Sequence, residues 1–257
     1  MVSSTALSNP PFRFGGAHLP IEGGGSGMRI LPMSEGFAQT HGRDARATAT
    51  AELETPPSAG RCARFGAVIL AAGASTRMGT PKQLLVLDGK PLIVRAVEAA
   101  LASAAWPIVV VLGAHAERIR PVLARLPVLI TENPAWSEGM AASIRAGVTT
   151  LRQFSRALDA ALIALCDQPA FSADTIAQLV ATQRASGRSI VAARYGGRHG
   201  APALFLREHF PTLTALTGEE GARALLNGEP GQVAPVDLPE LALDLDTPED
   251  FAAAAKS

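Results

Sequence analysis

Three stretches of this chain carry side chains whose types and spacing suit phosphate chemistry. Leu70-Ala-Ala-Gly-Ala-Ser-Thr-Arg-Met-Gly-Thr-Pro-Lys-Gln-Leu-Leu85 follows an apolar run. Small residues at 71 to 75 let backbone amides approach an anion closely, and Arg77 and Lys82 put two cations on the same loop. The loop is neither a GxGxxG fingerprint nor a Walker A sequence, because Gly-Lys-Ser/Thr is missing, and this argues against Rossmann dehydrogenases and P-loop ATPases. Asp167 directly follows Ala160 to Cys166, where a carboxylate is costly unless it meets water, a partner or a metal. Asp244 and Asp246 stand two apart, a spacing that turns both to one side of a strand. Blander uses compete with these: Gly73 and Gly79 shaping a tight βα turn, and Asp167 serving as a helix cap near Ser172.

The elements that must position these residues alternate in period. Phe65 to Leu70, Ile108 to Leu112, Val128 to Thr131, Ala160 to Cys166 and Ser189 to Arg194 read as strands. Pro91 to Ser103, His115 to Arg125, Ser137 to Leu151 and Ser172 to Ser186 read as helices, with Ser137 and Ser172 as N-cap candidates. Gly196 to Phe205, Ala222 to Leu226, Val233 to Val236 and Leu241 to Asp244 close the domain, with a strand expected where Asp244 and Asp246 stand. Strands alternating with helices of this length imply right-handed crossovers and an α/β fold with a doubly wound, mostly parallel sheet. Ligands of such sheets bind beyond the carboxyl ends of the strands where the order reverses, which points to Leu70, Cys166 and Asp244.

Composition sets the outer limits. The chain has 257 residues with 23 basic and 23 acidic side chains. Zero formal charge argues against a nucleic-acid partner, while two or three local cations still suffice for a phosphate site. Cys62 and Cys166 are the only cysteines, too few for a disulfide framework or a four-cysteine zinc site, and they fit a reducing, cytoplasmic setting. No apolar run approaches the roughly 18 residues of a membrane helix, so no membrane association is expected. Residues 1–60 hold nine Gly and six Pro with acids at Glu22, Glu35, Asp44, Glu52 and Glu54. That composition is expected to give a disordered extension, or to reflect a mis-assigned start with Met28 or Met33 as later candidates. It lacks the features of a secretory or transit peptide. Residues 61–257 are then expected to form one domain.

The pattern L-A-A-G-x-S-x-R-M-G-x-P-K-Q-L-L resembles the signature loop of nucleotidyltransferases that join an NTP to a phosphate acceptor. From about Phe65 to Phe251 the chain resembles the molybdenum cofactor cytidylyltransferase group. Further matching motifs are Asn133-Pro-Ala-Trp-Ser-Glu-Gly-Met-Ala-Ala-Ser-Ile144, Asp167-Gln-Pro169, Gly197-Arg-His-Gly-Ala-Pro-Ala-Leu-Phe205, Leu216-Thr-Gly-Glu-Glu-Gly-Ala-Arg223 and Asp244-Leu-Asp-Thr-Pro-Glu-Asp250. The resemblance implies a Rossmann-like sheet of the nucleotide-diphospho-sugar transferase type and transfer of CMP from CTP to a molybdopterin-type phosphate, releasing pyrophosphate. It implies Mg²⁺, with Mn²⁺ as a substitute, held by Asp167 and Asp246, and Asp244 near them. Arg77 would hold the β- and γ-phosphates and Lys82 the α-phosphate or the attacking phosphate.

By the same resemblance Leu70, Ala71, Ala72, Gly73, Gly139 and Ser143 line the nucleotide, with Trp136 either stacking on it or packing in the protein. Cytidine-using members resemble L-A-A-G at Leu70 to Gly73, whereas guanosine-using relatives carry L-x-G-G, so CTP is favoured. His199 and Arg198 are candidates for the acceptor's pterin or phosphate, against a solvated hairpin tip, and Arg207 and Arg223 are weaker ones. Cys166 stands where the group usually has Gly or Ala and is expected to be a buried, non-catalytic thiol. A transient contact with a molybdenum hydroxylase apoenzyme would follow from the product. Two alternatives stay open: a transferase acting on an isoprenoid or sugar phosphate, and a non-catalytic carrier of the mature cofactor. The joint presence of Arg77, Lys82, Asp167 and Asp246 argues against the carrier.

Overall fold

The computed structural model describes residues 64–219, 221–228, 231–243 and 251. The expected extension over 1–60, Asp244, Asp246 and the side chain of Arg77 lie outside the described residues.

The chain runs through β1 (Phe65–Ala71), the short ribbon β2 (Val86–Leu87) and β3 (Lys90–Pro91), α1 (Leu92–Leu101), β4 (Ile108–Leu112), α2 (Ala116–Leu123) and β5 (Leu129–Glu132). It continues with α3 (Met140–Phe154), β6 (Ala160–Leu165), α4 (Ala173–Ser186), β7 (Ile190–Tyr195), β8 (Arg198–Leu206), α5 (Phe210–Thr214), α6 (Arg223–Asn227) and β9 (Val233–Asp237). The seven-stranded sheet has the order β5-β4-β1-β6-β8-β7-β9. Only β8 runs against its neighbours. The sheet is therefore mostly parallel, as the alternation of periods implied.

Alternation along the strands builds a core on each face. Ala67, Ile69, Val110, Leu112 and Leu162 pack with α1, α2 and α4, while Val68, Leu70, Val111, Ala161 and Ile163 pack with α3, α5 and α6. Helix α3 lies so close to β1 that a Cβ on Gly147 would sit 2.3 Å from a Val68 methyl. Only glycine permits that approach.

Strand order reverses at β1, since β4 and β5 lie on one side of it and β6 on the other. The register pairs Leu70 with Leu165, and the Cys166 amide donates to the Leu70 carbonyl at 3.3 Å. The loop after β1 and the segment after β6 consequently leave the sheet side by side.

Two expected boundaries are corrected. Ser137 does not cap α3: Trp136–Glu138 forms a separate 3-10 turn, and Gly139, at φ 103°, separates that turn from a helix starting at Met140. Leu241 is not on a strand, because Pro239–Ala242 is a 3-10 turn opened by proline, with Leu241 fully buried. Ser172, in contrast, caps α4 through a 3.2 Å bond from the Thr175 amide, and Gly187 closes that helix in the left-handed region.

Candidate active site

The loop after β1 is braced from below. Gln83 is buried, and its Nε2 donates to the carbonyls of Ala71 (3.1 Å) and Gly73 (2.9 Å). The Ala72 carbonyl accepts from the Ala114 amide at 3.1 Å. With three successive carbonyls taken, the polar groups this loop offers a ligand are its amides. Ser75, in the left-handed region at φ 53°, accepts from the Lys82 amide at 3.1 Å and donates to Gln83 Oε1 at 3.4 Å. These bonds fold the loop back so that Lys82 returns to the sheet edge. Arg77 lies in the 3-10 turn Thr76–Met78 of the same loop.

Asp167 is not a helix cap, since Ser172 takes that place. Its carboxylate forms an ion pair with the Lys82 ammonium, both side chains being less than a fifth exposed. Beside it the Cys166 thiol is fully buried; burial, and secondly the Asp167 charge, push its pKa above the thiol range. It stays a neutral, inert group at physiological pH, as expected from the sequence.

Across from the sheet edge, α3 brings Gly139 and Ser143 to the site. The buried Asn133 donates from Nδ2 to Ser143 Oγ at 3.1 Å and accepts from the Ala135 amide, which leaves the serine hydroxyl hydrogen for a ligand. A Cβ on Gly139 would lie 2.6 Å from Glu219 Cα, so the Gly218-Glu219 loop closes directly over the start of α3. Arg145 on α3 holds this loop as well, donating to the Leu216 carbonyl at 2.6 Å.

Two cavities result. The first, about 440 Å³, takes in Leu70 to Ala74, Trp136, Gly139 and Ser143. The second, about 560 Å³, has a floor of Ile163, Leu165, Ala203 and Phe205 and a rim of Arg198, His199 and Arg223. Lys82 and Asp167 line both, as do Met140 and Glu219. Each volume is in the range of small-ligand sites. Among the described residues no group of three His, Cys, Asp or Glu side chains is arranged to hold a metal ion.

Leu70, Ala71, Ala72, Gly73, Lys82, Gly139, Ser143 and Asp167 are thus brought to one place. Trp136 both lines the first cavity and packs on the core beneath it. Arg207 is turned away, donating to the Leu158 carbonyl at 2.6 Å and lining a separate depression with Arg152 and Arg156. Gln83, Met140 and Glu219 stand at the site as well and were not among the residues expected there. The one available signal was that each lies inside one of the motifs quoted above.

An amide-bearing loop and a paired ammonium and carboxylate, both at the switch point of a mostly parallel sheet, define a nucleotide-binding α/β protein of the nucleotidyltransferase class. Residues 67–241 match the MobA-like NTP transferase domain, and the chain belongs to that family. It is 33% identical over 195 residues to nicotine blue oxidoreductase of Paenarthrobacter nicotinovorans, covering 72% of this chain and 93% of that protein. It is 34% identical over 194 residues to the molybdenum cofactor guanylyltransferase of Rhodobacter capsulatus, covering 74% of this chain and 95% of that one. The crystal structure of Rv0371c from Mycobacterium tuberculosis superposes with a TM-score of 0.63 at 28% identity, over 76% of this chain and 98% of that chain. No helix among the described residues is long and apolar enough to cross a membrane.

Proposed function

We propose that the chain transfers CMP from CTP to the terminal phosphate of a molybdopterin-type acceptor, releasing pyrophosphate, with Mg²⁺ or Mn²⁺ as the cation. The observation that carries this reading is the position of the Lys82–Asp167 pair in the wall common to two cavities. An acceptor phosphate oxygen forms a bond to the α-phosphorus of CTP as the bond from that phosphorus to the β-bridging oxygen breaks. The two substrates must therefore meet at a shared boundary, and their phosphates repel each other there. Lys82 stands at that boundary and offsets the repulsion, and the protein's main work is positioning and charge stabilisation.

In the nucleotide cavity the amides of the 71–74 loop and Arg77 take the β- and γ-phosphates, while Ser143 and the backbone around Gly139 take the nucleoside. Asp167 and Asp246 would hold the cation, a donor set that suits a hard ion taking one or two carboxylates and completing its shell with phosphate oxygens and water. When bound, that cation neutralises charge on the α- and β-phosphate oxygens. Proton transfer plays no part, because a phosphomonoester attacks as an anion. The apolar floor of the second cavity suits a flat ring more than a sugar, and Arg198 and Arg223 suit its anionic end.

The preference for CTP rests on the Ala71-Ala72 resemblance. Because the Rhodobacter capsulatus relative is named for guanylyl transfer, the test must offer GTP as well as CTP, ATP and UTP, each with Mg²⁺ and molybdopterin. Pyrophosphate release with CTP, and little with the others, is expected. Turnover of an isoprenoid or sugar phosphate without turnover of molybdopterin would overturn the acceptor assignment.

A further inference from the structure

His199 stands at the rim of the second cavity in a geometry that fixes what its ring can offer. Its Nδ1 lies 2.9 Å from the Leu226 carbonyl oxygen. A carbonyl can only accept, so Nδ1 carries the hydrogen, and in the neutral ring Nε2 is left with its lone pair. No described protein group bonds to Nε2. The residue is also clamped through its backbone: its amide donates to Asn227 Oδ1 at 3.1 Å, and its carbonyl accepts from Asn227 Nδ2 at 3.2 Å. The end of α6 thus holds His199 on both sides, far more than a hairpin-tip side chain requires. The turn itself is made by Gly196 and Gly197, both at positive φ, with Tyr195 paired to Arg198.

The rest of the rim sharpens this. Arg198 and Arg223 line the same cavity, and no described group pairs with either guanidinium. Both can only donate. Along this part of the rim, the His199 Nε2 lone pair is therefore an acceptor set beside two donors.

We infer that His199 is a specificity-determining residue of the acceptor cavity: its Nε2 accepts a hydrogen bond from an N–H on the ring of the acceptor, while Arg198 and Arg223 bind the acceptor's anionic oxygens. This deepens the pterin reading of the cavity and rests on it. A ring that presents only acceptors to Nε2 is disfavoured, because two lone pairs would then face each other out of water.

Two substitutions separate this role from a structural one. His199→Asn keeps an amide N–H near the position of Nδ1, so the bond to Leu226 survives while the Nε2 acceptor is lost. His199→Gln reaches the Nε2 position and restores a carbonyl acceptor there. The probe is 6-hydroxymethylpterin phosphate, followed by its own fluorescence, with CTP binding measured alongside. His199→Asn is expected to weaken probe binding about tenfold, His199→Gln to recover most of it, and both to bind CTP like the wild type. Equal probe binding by wild type and His199→Asn would overturn the inference, as would a parallel loss of CTP binding in both variants. Failure of the wild type to bind the probe would instead overturn the pterin reading, and this use of His199 with it. In the unliganded protein, side-chain ¹⁵N spectra should show Nδ1 protonated and Nε2 bare in the neutral ring, and the opposite tautomer would contradict the geometry.

Discussion

Lys82 and Asp167, 85 residues apart in sequence, meet as an ion pair where the cavity under the loop after β1 and the arginine-rimmed cavity share a wall. The pairing follows from the register. Because Leu70 lies beside Leu165, the loop after β1 and the residue after Cys166 are forced together, and the Gln83 brace turns Lys82 back toward them.

The pair should be costly to break and cheap to remove. Lys82→Met leaves the Asp167 carboxylate uncompensated in a largely buried position and should destabilise the fold by about 3 kcal/mol. The double change Lys82→Met with Asp167→Leu should recover most of that loss in chemical denaturation without restoring turnover. A double variant no more stable than the single one would contradict the pairing.

Gln83 should act through the loop. Gln83→Leu strips two carbonyls of their donor and should cost about 1–3 kcal/mol. The Michaelis constant for the nucleotide should rise, and that for the acceptor should change much less. Equal rises in both would show that the brace serves the whole site.

Two glycines of the cavity proposed for the nucleotide should respond differently to the same change. Gly139→Ala places a Cβ against Glu219 Cα in a backbone conformation at φ 103° that L-residues avoid, so a loss of roughly 2 kcal/mol or more is expected. At Gly73 a Cβ meets no protein atom within 4 Å, and Gly73→Ala should leave stability within about 0.5 kcal/mol of the wild type. The added methyl points into space assigned to the nucleotide, so weaker CTP binding by the Gly73 variant is the expected result in calorimetry.

These residues also mark what was legible in the sequence. Strands β1 and β4 to β7 and helices α1 to α4 were, because periods of two and 3.6 are written locally, and Ser172 was, because a cap needs only its own first turn; α5 and the β2–β3 ribbon are too short to carry a period. Asp167 was legible as a misplaced carboxylate after an apolar strand. That Lys82 faces it came only with the family resemblance, since the contact itself depends on strand register. Ser137 has the right chemistry for a cap, yet the backbone at Gly139 separates it from the helix. Leu241 and Leu243 have strand spacing, but Pro239 starts a 3-10 turn. The closure of Glu219 over Gly139 joins segments 80 residues apart and has no local signature.

Burial of Cys166 makes stability depend on alkaline pH. Folding favours the protonated thiol, so the group has no effect on stability below its ordinary value of 9.0. Above that value the unfolded chain loses the proton and the folded one keeps it. Stability should then fall by about 1.4 kcal/mol per pH unit from this group alone. Cys166→Ala should be less sensitive than the wild type between pH 9 and 10.5 in urea denaturation. Identical slopes would mean that the thiol ionises in the folded protein.

The reaction is proposed to be nucleotidyl transfer at the Lys82–Asp167 boundary. The most direct measurement follows label from α-³²P-CTP and γ-³²P-CTP in the presence of Mg²⁺ and molybdopterin, with wild type and Asp167→Asn. The α-label should move to the acceptor and the γ-label to pyrophosphate in the wild type, and both should slow by a hundredfold or more in a folded Asp167→Asn. Transfer of the γ-label to the acceptor, or undiminished α-label transfer by Asp167→Asn, would contradict it.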